Sequence, residues 1–132
     1  MTLTGHCLCT RTRFEIDPPF LFVGHCHCES CRRQTASPFT TFIGVEQGQW
    51  RWTGTPPVRY ESGPGRTRWF CATCGAPAAY ANDVDSPGEM HFYAALLDDP
   101  EAVVPEMNFH AEEHLSWAFG APELPVYRRD GE

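Results

Sequence analysis

Short segments that alternate polar and apolar residues dominate this chain. "RTRFEI" (11–16) alternates along most of its length, and "FLFVGH" (20–25) follows the turn signal "DPP". "FTTFIGV" (39–45), "QWRWTG" (49–54), "VRYES" (58–62) and "RTRWF" (66–70) are short and rich in β-branched or aromatic residues. The segments "EQG", "TPP" and "GPG" between them supply turn chemistry. "MHFYAALL" (90–97) reads as a further strand ended by "DDP", and "HAEEHLSWAF" (110–119) fits a helical turn or a strand equally well. One short helix is expected at "ESCRRQTA" (29–36), starting as Cys28 enters and letting Cys31 reach back toward it. The pattern predicts a mainly β protein, with no internal repeat, low-complexity tract or linker.

Length and charge narrow the classes. With 132 residues the chain is long enough for a true core, and residues 1–132 are expected to form a single domain. No apolar run approaches the roughly 18–20 residues that span a bilayer, so no membrane role is expected. "MTLTGHCLCTRTRFE" lacks a basic start followed by an apolar stretch, which makes a cytoplasmic location the expectation. The formal charge is −7, and all 10 basic residues are arginines in scattered pairs. Without a basic face to displace counterions, nucleic acid is not an expected partner.

The seven cysteines carry the chemistry. Cys7 and Cys9 form C-x-C, Cys26, Cys28 and Cys31 form C-x-C-x-x-C, and Cys71 and Cys74 form C-x-x-C. An odd count at such close spacing argues against a disulfide framework. It suits zinc, whose structural sites take four ligands at about 2.3 Å. Cys7, Cys9, Cys71 and Cys74 can close one tetrahedron, with C-x-C presenting two sulfurs from one face of an extended segment and "CATCG" forming a knuckle. Cys26, Cys28 and Cys31 are left as a three-ligand set, which is the pattern of a catalytic zinc with an open position. Two other readings of that set stay open: completion by His25, His27 or a distant histidine as a second structural zinc, or a redox-active thiol cluster. In a C-x-C chelate, His25 and His27 should point away from the metal and serve packing or support.

These clusters and their surroundings resemble the glutathione-dependent formaldehyde-activating enzyme family, which includes centromere protein V. The marks are "GHCLC" with "RFE", "CHCESCRRQ" leading to "SPFTTFIGV", "GPGRTRWFCATCGAP", "ALLDDP" and "HLSWAFGAPELPVY". The resemblance implies a β-tent fold of short antiparallel sheets pinned by a structural zinc on Cys7, Cys9, Cys71 and Cys74. It implies a second zinc on Cys26, Cys28 and Cys31, beside the cleft where a thiol enters, hence two zinc ions per chain. The chain departs from the family at three places: Thr10 and the "TAS" around Ala36 stand where glycine is common, and Asn108 stands where a histidine is frequent. His110 is close by but would face the other way in a regular strand.

The chemistry implied is carbon–sulfur lyase chemistry of the S-(hydroxymethyl)glutathione synthase type. A glutathione-type thiol activated at the open Cys26–Cys28–Cys31 zinc would add reversibly to a small aldehyde such as formaldehyde. An anionic substrate on an acidic protein needs local cations, and Arg32 and Arg33, directly after the third ligand, are the nearest candidates for a carboxylate clamp. Trp50, Trp52, Trp69 and Trp117 are expected in the core or on a sheet face, His91 as a satisfied side chain within a strand, and His114 exposed. The competing functions are a non-catalytic zinc-stabilised interaction module and a thiol-redox protein.

Overall fold

A computed structural model describes residues 1–118 and 124–128. Ten strands run in chain order: β1 (Leu3–His6), β2 (Arg13–Ile16), β3 (Phe22–Cys26), β4 (Thr40–Glu46), β5 (Trp50–Trp52), β6 (Val58–Gly63), β7 (Arg66–Phe70), β8 (Pro77–Asn82), β9 (Glu89–Tyr93) and β10 (Met107–Phe109). One α-helix, α1 (Glu29–Thr35), lies between β3 and β4, and three single 3₁₀ turns follow β9 and β10. The strands build a three-stranded sheet, β1-β2-β5, and a seven-stranded sheet, β10-β3-β4-β9-β8-β7-β6. Both are antiparallel except that β10 lies parallel to β3. The expected mainly β architecture with one short helix is what forms.

Side chains two apart share a face of a strand, so alternation divides the larger sheet into two surfaces. Ile43 and Val45 of β4, Ala79 and Ala81 of β8, and Met90 and Phe92 of β9 form the main core with Phe14 and Ile16 of the smaller sheet. Phe14 stacks on Phe92 at 4.6 Å, and Trp50 and Trp52 close over the same ring at 5.7 and 5.4 Å. The residues between these point the opposite way. Cys26, Phe42 and Tyr93 gather there with Cys31 of α1 into a second cluster, against which Phe22, Tyr80 and Phe109 pack. That second surface holds the chemistry.

Several elements differ from the sequence reading. The alternation at 90–97 stops at Tyr93, and Ala94–Leu96 turns in 3₁₀ form, carrying Leu97 to a bridge with Gly5 of β1. The "GHCLC" segment is a strand only as far as His6; Cys7 to Thr10 is a turn closed by Thr10 N–H donating to Cys7 O at 3.0 Å. The C-x-C pair therefore meets through a turn and not through extended backbone. In the tail, Ala111–Glu113 forms a 3₁₀ turn, and Phe119 to Glu123 of the C-terminal family mark lie outside the described residues. Trp117, expected in a core or on a sheet face, is exposed at 67% because no strand carries it.

Candidate functional site

The turn after β1 and the turn between β7 and β8 bring Cys7, Cys9, Cys71 and Cys74 together, with sulfurs all within 4.8 Å of one another. Cys9 Sγ lies 3.6 Å from both Cys7 Sγ and Cys71 Sγ. A zinc tetrahedron with bonds of about 2.3 Å has edges of roughly 3.8 Å, whereas a disulfide is about 2.05 Å long. All seven cysteines are free thiols. Backbone amides are already turned toward the sulfurs: Thr12 N–H donates to Cys7 Sγ at 3.3 Å, and Thr73 and Cys74 N–H donate to Cys71 Sγ at 3.3 and 3.4 Å. The Cys74 amide, with that of Thr73, brings the Cys71 thiol down to about 5. Gly75, at φ +77, makes the knuckle's last corner, a conformation that favours glycine.

The second set assembles where β3 runs into α1. Cys26 ends the strand, Cys28 caps the helix, and Cys31 closes its first turn, so the three Sγ atoms lie within 4.8 Å. Cys28 Sγ takes the place of the usual cap oxygen, accepting Cys31 N–H at 3.4 Å. Cys26 and Cys31 are buried with sulfurs 3.8 Å apart, again near a tetrahedral edge. Cys28 is the half-exposed member. Hydrogen bonds from the Cys26 and Cys31 thiols hold the Cys28 thiol far below its ordinary range, while the same contacts push Cys26 up. Both donor sets, thiol-only and spaced near tetrahedral edges, fit a thiophilic ion such as zinc.

Two adjoining cavities meet at Cys28. The first, of about 350 Å³, has aromatic walls, with Phe22, Phe42, Tyr80 and Phe109 around Cys26, Cys28 and Cys31. The second, of about 500 Å³, is polar and includes Ser30, Arg33, Arg66 and Glu113. Tyr80, Asn82, Asp85 and His110 line both. His91 forms part of the aromatic cavity, where it bonds Glu89 at 3.0 Å and packs edge-on to Phe22 at 4.9 Å. Burial lowers its pKa.

The sequence of the glutathione-dependent formaldehyde-activating enzyme family matches residues 2–113 of this chain. The chain belongs to that family. Its fold resembles the crystal structure of a Rhodobacter sphaeroides protein, a structural-genomics target, with a TM-score of 0.63 at 23% identity, covering 80% of this chain and 98% of that one. No curated protein matches the sequence.

The two cysteine clusters thus sit at the C-terminal ends of β7 and β3, and the other expected residues fall unevenly around them. Arg33 lines the polar cavity with Cys28 and pairs with Glu29 at 2.8 Å. Arg32 sends Nη1 to the carbonyl oxygens of His27 and Glu113, at 2.8 and 2.7 Å, and borders a separate cavity with Trp117. His25 and His27 belong to neither sulfur cluster: His25 bonds Thr41 Oγ1 at 2.8 Å, and the fully buried His27 bonds Asn108 Oδ1 at 2.9 Å. Asn108 therefore supports the strand behind Cys28 and does not line either cavity there. His110 corrects the expectation that it faces away. At φ 54 it leaves the strand's alternation and joins the wall of both cavities. Tyr80 and Asn82 were missed altogether, because "PAAYAN" carries little β-propensity and becomes a strand only by lying between β7 and β9.

Proposed function

We propose that this protein activates a glutathione-type thiol at the Cys26–Cys28–Cys31 centre for reversible addition to a small aldehyde, as an S-(hydroxymethyl)glutathione synthase-like carbon–sulfur lyase. The reading assigns two zinc ions per chain, one enclosed by Cys7, Cys9, Cys71 and Cys74 and one held by three sulfurs. The observation that carries it is the inequality of the two clusters. Four sulfurs gather in the first; in the second only three do, and Cys28 of that set faces a cavity. When bound, zinc at the three-sulfur centre supplies one thing, a lowered pKa for an incoming thiol so that its thiolate persists near neutrality.

The chain's own residues do the rest. The aromatic cavity takes the apolar part of the thiol substrate and keeps water from the reacting sulfur, while the polar cavity receives its charged ends. Arg33 is the cation best placed to meet a carboxylate, since it lines the cavity beside Cys28 and its Glu29 pair is solvent-exposed. Arg32 serves the same substrate indirectly, by fastening the His27 carbonyl and so fixing where Cys28 stands. In the addition a carbon–sulfur bond forms, the carbonyl electron pair moves onto oxygen, and the proton lost by the thiol ends on the new hydroxyl. Ser30, with Oγ 3.4 Å from Cys28 Sγ, is positioned to steady that oxygen.

The test is proton NMR of glutathione and formaldehyde exchange with the zinc-loaded protein. Exchange should be faster than the spontaneous reaction, and Cys28→Ser should return it to the spontaneous rate. No acceleration by the wild-type protein carrying two zinc ions would overturn the enzymatic reading.

A further inference from the structure

We infer that Arg68 is the resident counter-cation of the Cys26–Cys28–Cys31 centre, a positioning residue whose fixed charge offsets that of the sulfurs that would hold its metal. The inference rests on the reading of that centre as a metal site. Arg68 lies in β7 on the surface of the sheet that carries the chemistry, directly across from Tyr80 in β8. Its guanidinium carbon sits 4.5 Å from the centre of the Tyr80 ring, and only 3% of the residue is exposed. Among the described residues no carboxylate comes within ion-pairing distance, and the buried Nη1 has no hydrogen-bond partner.

A buried guanidinium cannot shed its proton, so burial without an anion is costly. The neighbours that share its surface are the phenols of Tyr80 and Tyr93, the Thr40 hydroxyl, and the thiols of Cys26 and Cys31. Neither a phenol nor a hydroxyl offers an anion near neutrality, whereas sulfurs that ligate a metal do so as thiolates. Cys31 is accordingly a favourable electrostatic partner of Arg68. The acids of the cleft are engaged elsewhere, Asp85 with Asn82 and Arg66, and Glu89 with His91. Arg68 is absent from the walls of both cavities that meet at Cys28, so it acts through the sulfurs and not on a substrate.

The charges also balance. A divalent ion with three thiolates is net −1, which one guanidinium neutralises, and an incoming thiolate then adds a single charge where it would otherwise add a second. Removal of Arg68 should therefore weaken metal binding at this centre and spare the four-sulfur site.

The experiment compares the full-length wild type with Arg68→Gln and Arg68→Lys. Zinc per chain is measured by mass spectrometry, and cobalt is titrated in while the thiolate-to-cobalt charge-transfer band is followed against a competing chelator. The wild type should bind two ions. Arg68→Gln should keep the first and bind the second roughly ten- to a hundred-fold more weakly, as expected for loss of one charge several ångströms away. Arg68→Lys should stay within about threefold of the wild type, since it keeps a point charge. Wild-type affinity at the second site in Arg68→Gln would overturn the inference, as would equal weakening in both variants. If Arg68→Gln fails to fold, Arg68→Lys decides: near-wild-type binding of both ions supports the counter-charge, and selective loss of the second overturns it. A wild type that binds one ion overturns the two-metal reading and the inference with it, which separates that failure from the others.

Discussion

Replacing Cys71 by serine tests whether the two sulfur clusters divide stability and chemistry between them. Cys71 is buried, accepts amide hydrogens from Thr73 and Cys74, and faces Cys9 across 62 positions of sequence. A metal crosslink between those turns would tie the three-stranded sheet to the seven-stranded one. Treated as closure of a 62-residue loop, the crosslink contributes about 4 kcal/mol through chain entropy alone. Unfolding entropy of about 2.1 cal/mol/K per residue converts that loss, for 132 residues, into a fall in Tm of about 15 °C. The sulfur–metal bonds add to this, since structural zinc contributes about 10–16 kcal/mol in small peptides. Cys28→Ser removes a ligand from a set that spans only residues 26 to 31, already joined by β3 and α1. Serine is itself a favoured helix cap at this position, so the cost should not exceed about 1–2 kcal/mol. Circular dichroism melts and zinc per chain for both variants give the readout. Cys71→Ser should lose at least 15 °C or aggregate, and Cys28→Ser should melt within about 7 °C of the wild type with one zinc fewer. Equal falls in Tm would refute the division, and so would a Cys71→Ser protein that melts like the wild type.

Two further outcomes follow from local geometry. Ala36 ends α1 in the left-handed region at φ 56, where a β-carbon costs about 1–2 kcal/mol; Ala36→Gly should raise stability by about 0.5–1 kcal/mol in urea melts, net of the added freedom of the unfolded chain. The Thr4 hydroxyl and His6 hold the Asp98 carboxyl below its ordinary value, and Arg51 does the same for Asp17, so both bind protons less readily folded than unfolded. Their contribution is complete above the unfolded value of about 4 and is lost as pH falls through the lower folded values; Tm should drop below about pH 4, and Asp98→Asn should shrink that drop.

The clusters were legible in the sequence because metal chelation works over spacings of two or three residues, which the chain displays directly. Strands with aromatic or β-branched residues were legible for a similar reason. β8 was not, because its alanines say nothing until β7 and β9 offer it two pairing edges. The threonine-for-glycine departure at residue 10 acquired its meaning only from backbone geometry, since Thr10 sits at φ 71 in the turn that brings Cys9 to Cys7. The arginines show the limit most clearly. Arg32, Arg33 and Arg68 look alike as letters, yet one clamps carbonyl oxygens, one faces a cavity, and one is buried over the Tyr80 ring.

That burial follows from register. β7 alternates Thr67 and Trp69 on the core surface with Arg66 and Arg68 on the other. A shift of one residue in the β7–β8 pairing would place Trp69 against Tyr80 and drive Arg68 into the apolar core, where no sulfur could answer its charge. The same shift would displace Cys71 from its turn, because the cysteine follows directly on the strand. Arg68 at one cluster and Cys71 at the other therefore depend on a single register, and a metal held by the four sulfurs would pin the pairing that Arg68 requires. Loss of the four-sulfur site should release Arg68 from its place and empty the three-sulfur site too, whereas loss of the three-sulfur site leaves the register pinned.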